Sequence, residues 1–147
     1  MKKVFVTGAT GFLGSSLLHH LVSKGYKVKA LVRPNKKLVI NNPLIEVVTG
    51  DVRYKESFEK DLIGVEQVYH LAGIVTDWAR NSLYEETNVT GTRNILEASV
   101  AAGVKRVVHV STVDVVAYEN HDFVDEYTEY TLSKIPYRRT KKTGEEL

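Results

Sequence analysis

The chain has 147 residues, 43% of them hydrophobic and 26% charged, with a net charge of +2 at pH 7 and no cysteine. That length suits one domain burying roughly 70% of its unfolded surface, and the composition is ordinary for a soluble globular protein. So small a net charge argues against nucleic acid or an anionic membrane as the main partner, and the lack of cysteine excludes a disulfide framework, a thiolate zinc site and a cysteine nucleophile.

Met1-Lys2-Lys3 opens like a signal peptide, but the apolar run behind it is broken at Thr7 and Gly8, too short for an h-region. No stretch is long enough to span a membrane, so the expected location is cytoplasmic. Val4 to Val6 reads as a first strand running into a glycine-rich loop with Gly8, Gly11 and Gly14. An amphipathic helix follows, with Phe12, Leu13, Leu17, Leu18, Leu21 and Val22 at helical spacing and Gly25 as its stop. A strand, a tight glycine turn and a helix N-terminus together read as a phosphate cradle, with a glycine-rich surface turn as the alternative. First-turn N–H groups lack intrahelical partners there, and the macrodipole adds positive charge. The three glycines would serve positive φ, close approach to a pyrophosphate and tight helix–strand packing. Adjacent His19 and His20 point two ways round the helix and read as surface residues.

Lys27 to Val32 alternates as a second strand ending at Arg33. A dinucleotide fold reads the adenosine ribose at about this point, an acidic residue taking the 2′-OH and an arginine a 2′-phosphate. Arg33 is therefore either a reader of NADP over NAD or a solvated loop residue before Pro34. Lys36 and Lys37 add positive charge nearby. Ile45 to Thr49 forms a third strand. Asp51 stands just past its end, either capping a helix that starts near Tyr54 or accepting from an adenine amino group.

Lys55 to Leu62 reads as a short charged helix, and Val65 to Leu71 as a fourth strand closed by Ala72 and Gly73. Those two small residues either let backbone approach a flat ligand or simply make the turn. His70 fits a satisfied core histidine, and Thr76 to Arg80, with Trp78, is a loop beside the expected cleft. Leu83 to Ala102 is the longest predicted helix, with polar Asn88 and Thr92 among its inward positions and expected to bond backbone or water. Arg106 to Val110 is a fifth strand leading into Ser111-Thr112. An acidic loop-like segment from Asp114 to Thr131 follows. Pro136 opens a last helix, where its missing N–H costs nothing. Strands alternating mainly with helices imply an α/β fold, a Rossmann-like doubly wound parallel sheet of about five strands in the order 3-2-1-4-5.

Tyr137 and Lys141 are four apart on that last helix and share a face. A tyrosine hydroxyl is a poor acid–base group at its ordinary pKa, near 10. A neighbouring ammonium stabilises the phenolate and brings it toward working pH. A hydroxyl at the end of the fifth strand, Thr112 or Ser111, could bond the same substrate oxygen.

The motifs T-G-A-T-G-F-L-G (7–14), G-D-V (50–52), H-L-A-G (70–73), N-V-T-G-T-R-N-I-L-E-A (88–98), V-H-V-S-T (108–112) and Y-R-R-T-K (137–141) resemble the extended branch of the short-chain dehydrogenase/reductases. That branch holds nucleotide-sugar epimerases and dehydratases, dihydroflavonol-type reductases and 3β-hydroxysteroid dehydrogenases. The resemblance implies that Gly8, Gly11 and Gly14, with the backbone of Thr10, Gly11, Phe12 and Leu13, hold a pyrophosphate. It implies that Arg33 reads the 2′-phosphate, Asp51 and Val52 the adenine, and Leu71, Ala72 and Gly73 the adenosine side. Tyr137 would be the acid–base, Lys141 would bind the nicotinamide ribose and tune Tyr137, Thr112 would be the hydroxyl partner, and Asn88 would support the helix beneath.

Where the branch carries V-Y-G, this chain has Val115-Val116-Ala117. Members of the branch are also longer, so the resemblance implies that residues 1–147 form an incomplete NAD(P)-binding domain with the substrate domain absent. The expected function is hydride transfer with NADP (NAD less favoured) on a ketone, secondary alcohol or sugar nucleotide. The alternative is an NADP-binding module without turnover. A homodimer through the edge of the fifth strand, or through the last two helices, is a further expectation.

Overall fold

The computed structural model describes residues 2–76, 78–116 and 123–147. Five strands, β1 (Lys3–Thr7), β2 (Lys27–Val32), β3 (Ile45–Thr49), β4 (Gln67–His70) and β5 (Arg106–His109), form one parallel sheet in the order β3-β2-β1-β4-β5. This is the doubly wound order expected from the alternation of elements. Side chains along β1 alternate between faces. Val4 and Val6 pack with Leu18 and Leu21 of helix α1 (Phe12–Ser23), and Phe5 packs with Phe58, Leu62, Val68 and Ile95 on the other side. Both faces are covered, which is why the central strand reads as an unbroken apolar run.

Three local features depart from the sequence expectation. Phe12 and Leu13 begin the apolar stripe of α1 but are 93% and 51% exposed. They lie in the first turn, before the helix comes down onto the sheet. Lys55 to Leu62 is not one helix but two 3-10 turns, Lys55–Ser57 and Glu59–Leu62. Phe58 breaks them apart with φ −147°, and its buried ring lies 6.1 Å from that of Phe5. Core burial of one aromatic outweighs helical continuity here. The long helix read from Leu83 to Ala102 is instead α2 (Asn81–Tyr84), a π-helical turn (Glu85–Thr90) and α3 (Gly91–Ala101). The wider turn buries the consecutive residues Thr87, Asn88 and Val89, which a uniform α-helix would spread round its circumference.

Helix α4 (Pro136–Glu145) has its proline at the start, as expected. His19 and His20 are exposed. The outer side of β5 pairs with no other strand among the described residues, and Val108 there is partly exposed. No described helix is long and apolar enough to cross a membrane. Of the segments read as loops, Asp77 and residues 117–122 lie outside the described residues, and with them Ala117 of the departing motif.

The contact of α1 with the end of β1 sets a test. A Cβ on Gly14 would run into the Gly8 carbonyl oxygen and lie 2.9 Å from Ala9 Cα. Alanine is ordinarily favoured over glycine in a helix by about 1 kcal/mol. A backbone clash that no rotamer relieves costs about 1–3 kcal/mol and wins. Gly14→Ala should lower the melting temperature, and a melt at or above wild type would show that the helix can retreat freely.

Candidate active site

The carboxyl ends of β1, β2, β3 and β4 meet at one cleft, where ligands bind in open parallel sheets. It is lined by Gly8, Thr10, Gly11, Arg33, Asp51, Val52, Leu71, Ala72 and Gly73, all expected from sequence, together with Leu31, Gly50, Arg53, Ile74, Leu83 and Thr87. Gly8 has φ +68°, and a Cβ there would sit 2.7 Å from the carbonyl carbon of Leu71. The loops after β1 and β4 can approach this closely only without that side chain. Gly11 donates its N–H to Gly8 O at 2.9 Å, and α1 starts directly after it with no side-chain cap and no acidic residue in its first turn. The positive end of the helix is left for an outside anion, and the glycine cradle fits a pyrophosphate. Phe12, Leu13 and Gly14 do not line the cleft with side chains. They contribute the helical turn that opens on it.

A buried relay runs beneath. The Ala72 N–H donates to Thr7 Oγ1 at 3.1 Å, and that hydroxyl lies 2.7 Å from His70 Nδ1. His70 Nε2 is 3.0 Å from Thr92 Oγ1, which donates to Asn88 O at 2.7 Å. Because the Thr92 proton is committed to Asn88, His70 must donate from Nε2 and accept at Nδ1 from Thr7. His70 is thus the satisfied core histidine its apolar strand suggested. Asn88 is satisfied too. Its Oδ1 accepts from Ile74 N–H at 2.8 Å, and its Nδ2 donates to Thr140 Oγ1 at 3.1 Å.

On α4, Lys141 is buried and donates from Nζ to Val110 O at 2.7 Å. Burial pushes its pKa below the ordinary lysine value, with the Glu145 charge opposing. A Cβ on Gly73 would stand 4.0 Å from Lys141 Nζ, so the ammonium sits directly behind the cleft wall. Tyr137, one turn earlier, is half-buried. Thr140 lies between them. Its hydroxyl reaches Pro136 O at 2.7 Å and accepts from Asn88. The strand-end hydroxyls fall outside the cleft and line a separate groove. Thr112 Oγ1 accepts from Asp114 N–H at 3.3 Å, capping the turn Val113–Val115, whereas Ser111 Oγ is buried without a partner among the described residues.

The model of the NAD dependent epimerase/dehydratase family matches residues 4–147. The chain belongs to that family. Sterol demethylase protein B of Methylococcus capsulatus is 37% identical over 95% of the chain. A putative dihydroflavonol 4-reductase of Synechocystis sp. is 34% identical over 97%. Among solved structures, MoeE5 in complex with UDP-glucose and NAD superposes with a TM-score of 0.80 at 30% identity over 98% of the chain. The chain spans 44%, 43% and 47% of these proteins respectively, so it matches a little under half of each.

For this epimerase/dehydratase-family chain, sequence reasoning missed two polar residues that the fold engages. Arg53 lines the cleft and binds Asp51, its Nε donating to Oδ1 at 3.1 Å and NH2 to Oδ2 at 2.9 Å. Asp51 Oδ1 also accepts the Arg53 N–H at 3.0 Å, in a local turn and not as a helix cap. Thr140 joins α4 to Asn88. The only sequence signal for either was a polar side chain beside a singled-out residue. Trp78 is 94% exposed and is not among the residues lining the cleft.

The relay also predicts acid sensitivity. Burial, with smaller contributions from His109 and Lys141, pushes His70 down to about 3 from its ordinary 6.5. Burial and Lys141 lower His109 to about 4, its ring stacked 5.2 Å from that of His70. Both groups are neutral when folded, and the unfolded chain binds more protons below pH 6.5. Their stabilisation is therefore full above 6.5 and lost as pH falls toward 4 and then 3. At pH 5 His70 alone should cost about 2 kcal/mol relative to neutral pH. Urea unfolding at pH 7.5 and pH 5 measures this, and His70→Gln should shrink the difference by about 2 kcal/mol, leaving the part due to His109.

Proposed function

We propose that the chain is the cofactor-binding part of an NADP-dependent oxidoreductase or nucleotide-sugar epimerase/dehydratase of the extended short-chain dehydrogenase/reductase type. The observation that carries the reading is the buried Lys141 ammonium behind Gly73, one turn from Tyr137, at the wall of a glycine-built cleft. In this reading Gly8, Gly11 and the opening turn of α1 hold the pyrophosphate, and Asp51, Val52, Leu71, Ala72 and Gly73 enclose the adenosine. Exposed Arg33 at the mouth of the cleft supports the choice of NADP, since its guanidinium suits a 2′-phosphate.

Bound nicotinamide would supply hydride exchange with a substrate carbon. Tyr137 would move the proton at the substrate oxygen, and Lys141 would lower its pKa and hold the nicotinamide ribose. Thr112 would orient that oxygen after releasing Asp114 N–H, with Ser111 as the fallback hydroxyl. Ketones, secondary alcohols and sugar nucleotides are the substrate classes in view. The relatives named above include a reductase and a protein solved with UDP-glucose.

A second reading, cofactor binding by these residues without turnover, is favoured by Ser111 and Thr112 lining a groove separate from the glycine-built cleft. It makes residues 1–147 the NAD(P)-binding domain and leaves substrate contacts to a domain elsewhere. Calorimetric titration separates the claims. NADP should bind at least about tenfold more tightly than NAD, and equal affinities would remove the 2′-phosphate assignment. Where NADPH-dependent ketone reduction is detected, Tyr137→Phe should slow it about 10²-fold or more. An undiminished rate would show that another group moves the proton, and binding with no conversion of any ketone or sugar nucleotide would favour the second reading.

A further inference from the structure

Arg53 holds an unusual position at the adenosine end of the cleft. Its guanidinium grips both oxygens of Asp51 and reaches Glu86 Oε2 with NH1 at 3.4 Å, and it lies 5.3 Å from the centroid of the Tyr54 ring. Its own backbone N–H adds a third bond to the same carboxylate. Asp51 is only 9% exposed, so its charge has little water to screen it. Burial works against that charge, but the Arg53 hydrogen bonds and the charges of Arg53 and Arg33 outweigh it and hold the carboxyl below the usual range. Arg33 lines the same cleft, although Arg53 is the residue that binds Asp51.

Two cations and one carboxylate thus line the region where the adenosine would sit. A bare Asp51 carboxylate there would do two things. It would repel a phosphate on the ribose, and it would draw the Arg33 guanidinium toward itself. A ribose 2′-hydroxyl would meet no such obstacle, since a carboxylate accepts a hydrogen bond from it.

We infer that Arg53 is a positioning residue for cofactor choice: by holding Asp51 it leaves Arg33 available to the 2′-phosphate of NADP. The inference rests on the NADP reading above and adds to it a residue that need not touch the phosphate. The fork geometry is essential, because a planar guanidinium satisfies both carboxylate oxygens at once and an ammonium does not.

The test is calorimetric titration of the 147-residue chain with NADP and with NAD, for wild type, Arg53→Ala, Arg53→Lys and the double variant Arg53→Ala/Asp51→Asn. Arg53→Ala should weaken NADP about tenfold and NAD less than about threefold, with Arg53→Lys between wild type and Arg53→Ala. Removing the Asp51 charge in the double variant should return the NADP/NAD ratio to within about threefold of wild type. A merely structural role would lower both affinities together and leave the ratio unmoved. That result, or a double variant that fails to restore the ratio, overturns the assignment. If wild type itself binds both cofactors equally, the NADP reading fails and takes this inference with it. If wild type prefers NADP and Arg53→Ala keeps the preference, only the inference fails. A thermal melt accompanies each titration. If Arg53→Ala does not fold, Arg53→Gln is read in its place, and failure of both to fold makes Arg53 a folding residue and ends the proposal.

Discussion

Asn88 is the constraint on which the site depends. Its side chain bonds both polar backbone groups of Ile74, on the cleft wall, and the hydroxyl of Thr140 on α4. Its carbonyl takes the Thr92 hydroxyl, and Gly144 packs so closely that a Cβ there would lie 2.9 Å from it. One amide therefore fixes the loop after β4, the segment from Asn81 to Ala101 and the helix carrying Tyr137 and Lys141. Buried polar groups are tolerated only when satisfied, and here the satisfaction is what aligns the elements. The π-helical turn gives Asn88 its place, since it buries that residue alongside both its neighbours.

The site is divided by polarity. Its floor is backbone and small side chains, Gly8, Gly11, Ala72 and Gly73, a surface of N–H groups without bulk that would suit a phosphate. Beneath the floor lie neutral hydrogen-bonding groups, His70, Thr7 and Thr92, that carry no charge to compete with the ligand. Formal charges stand at the end of the cleft where Asp51 and Arg53 pair, and at Lys141, whose ammonium is anchored on Val110 O. The sheet topology produces this division, since parallel strands deliver all their carboxyl ends to one side.

The parts of the fold legible in sequence were those dictated by burial and by backbone geometry. Val4 to Val6 is legible as a strand because a short apolar run stops at a glycine turn, and its burial on both faces makes it a central one. The positive φ at Gly8 and the tight packing of α1 on β1 at Gly14 match the roles expected of the glycines, whereas the contact of Gly8 with the loop after β4 is visible only in the structure. The polarity of His70 and Asn88 among apolar neighbours implies that they need partners, but not which residues elsewhere in the chain supply them. What escaped was set by tertiary contact. Phe58 leaves the helical conformation because the Phe5 ring offers it a place in the core. The π-helical turn has the composition of an ordinary helix and differs only in which residues it turns inward. Phe12 and Leu13 matched the apolar spacing of α1 yet lie before the point where the sheet is reached, so periodicity alone overcounted its core. Arg53 hid because an arginine two residues past an aspartate looks like any exposed loop.

The central place of β1 also bears on how the chain acquires its structure. This first strand is flanked by β2 on one side and β4 on the other, and its Thr7 meets His70 across 63 residues. Every pairing in the sheet is parallel, so none can be closed by a tight hairpin. As the chain leaves the ribosome, β1 can collect β2 and α1 early, but one of its edges stays open until β4 emerges. Such non-local pairing slows folding and exposes an apolar edge meanwhile. Of the strands that end up paired on both sides, the one at the centre of the finished sheet is thus the one that waits longest for its second partner.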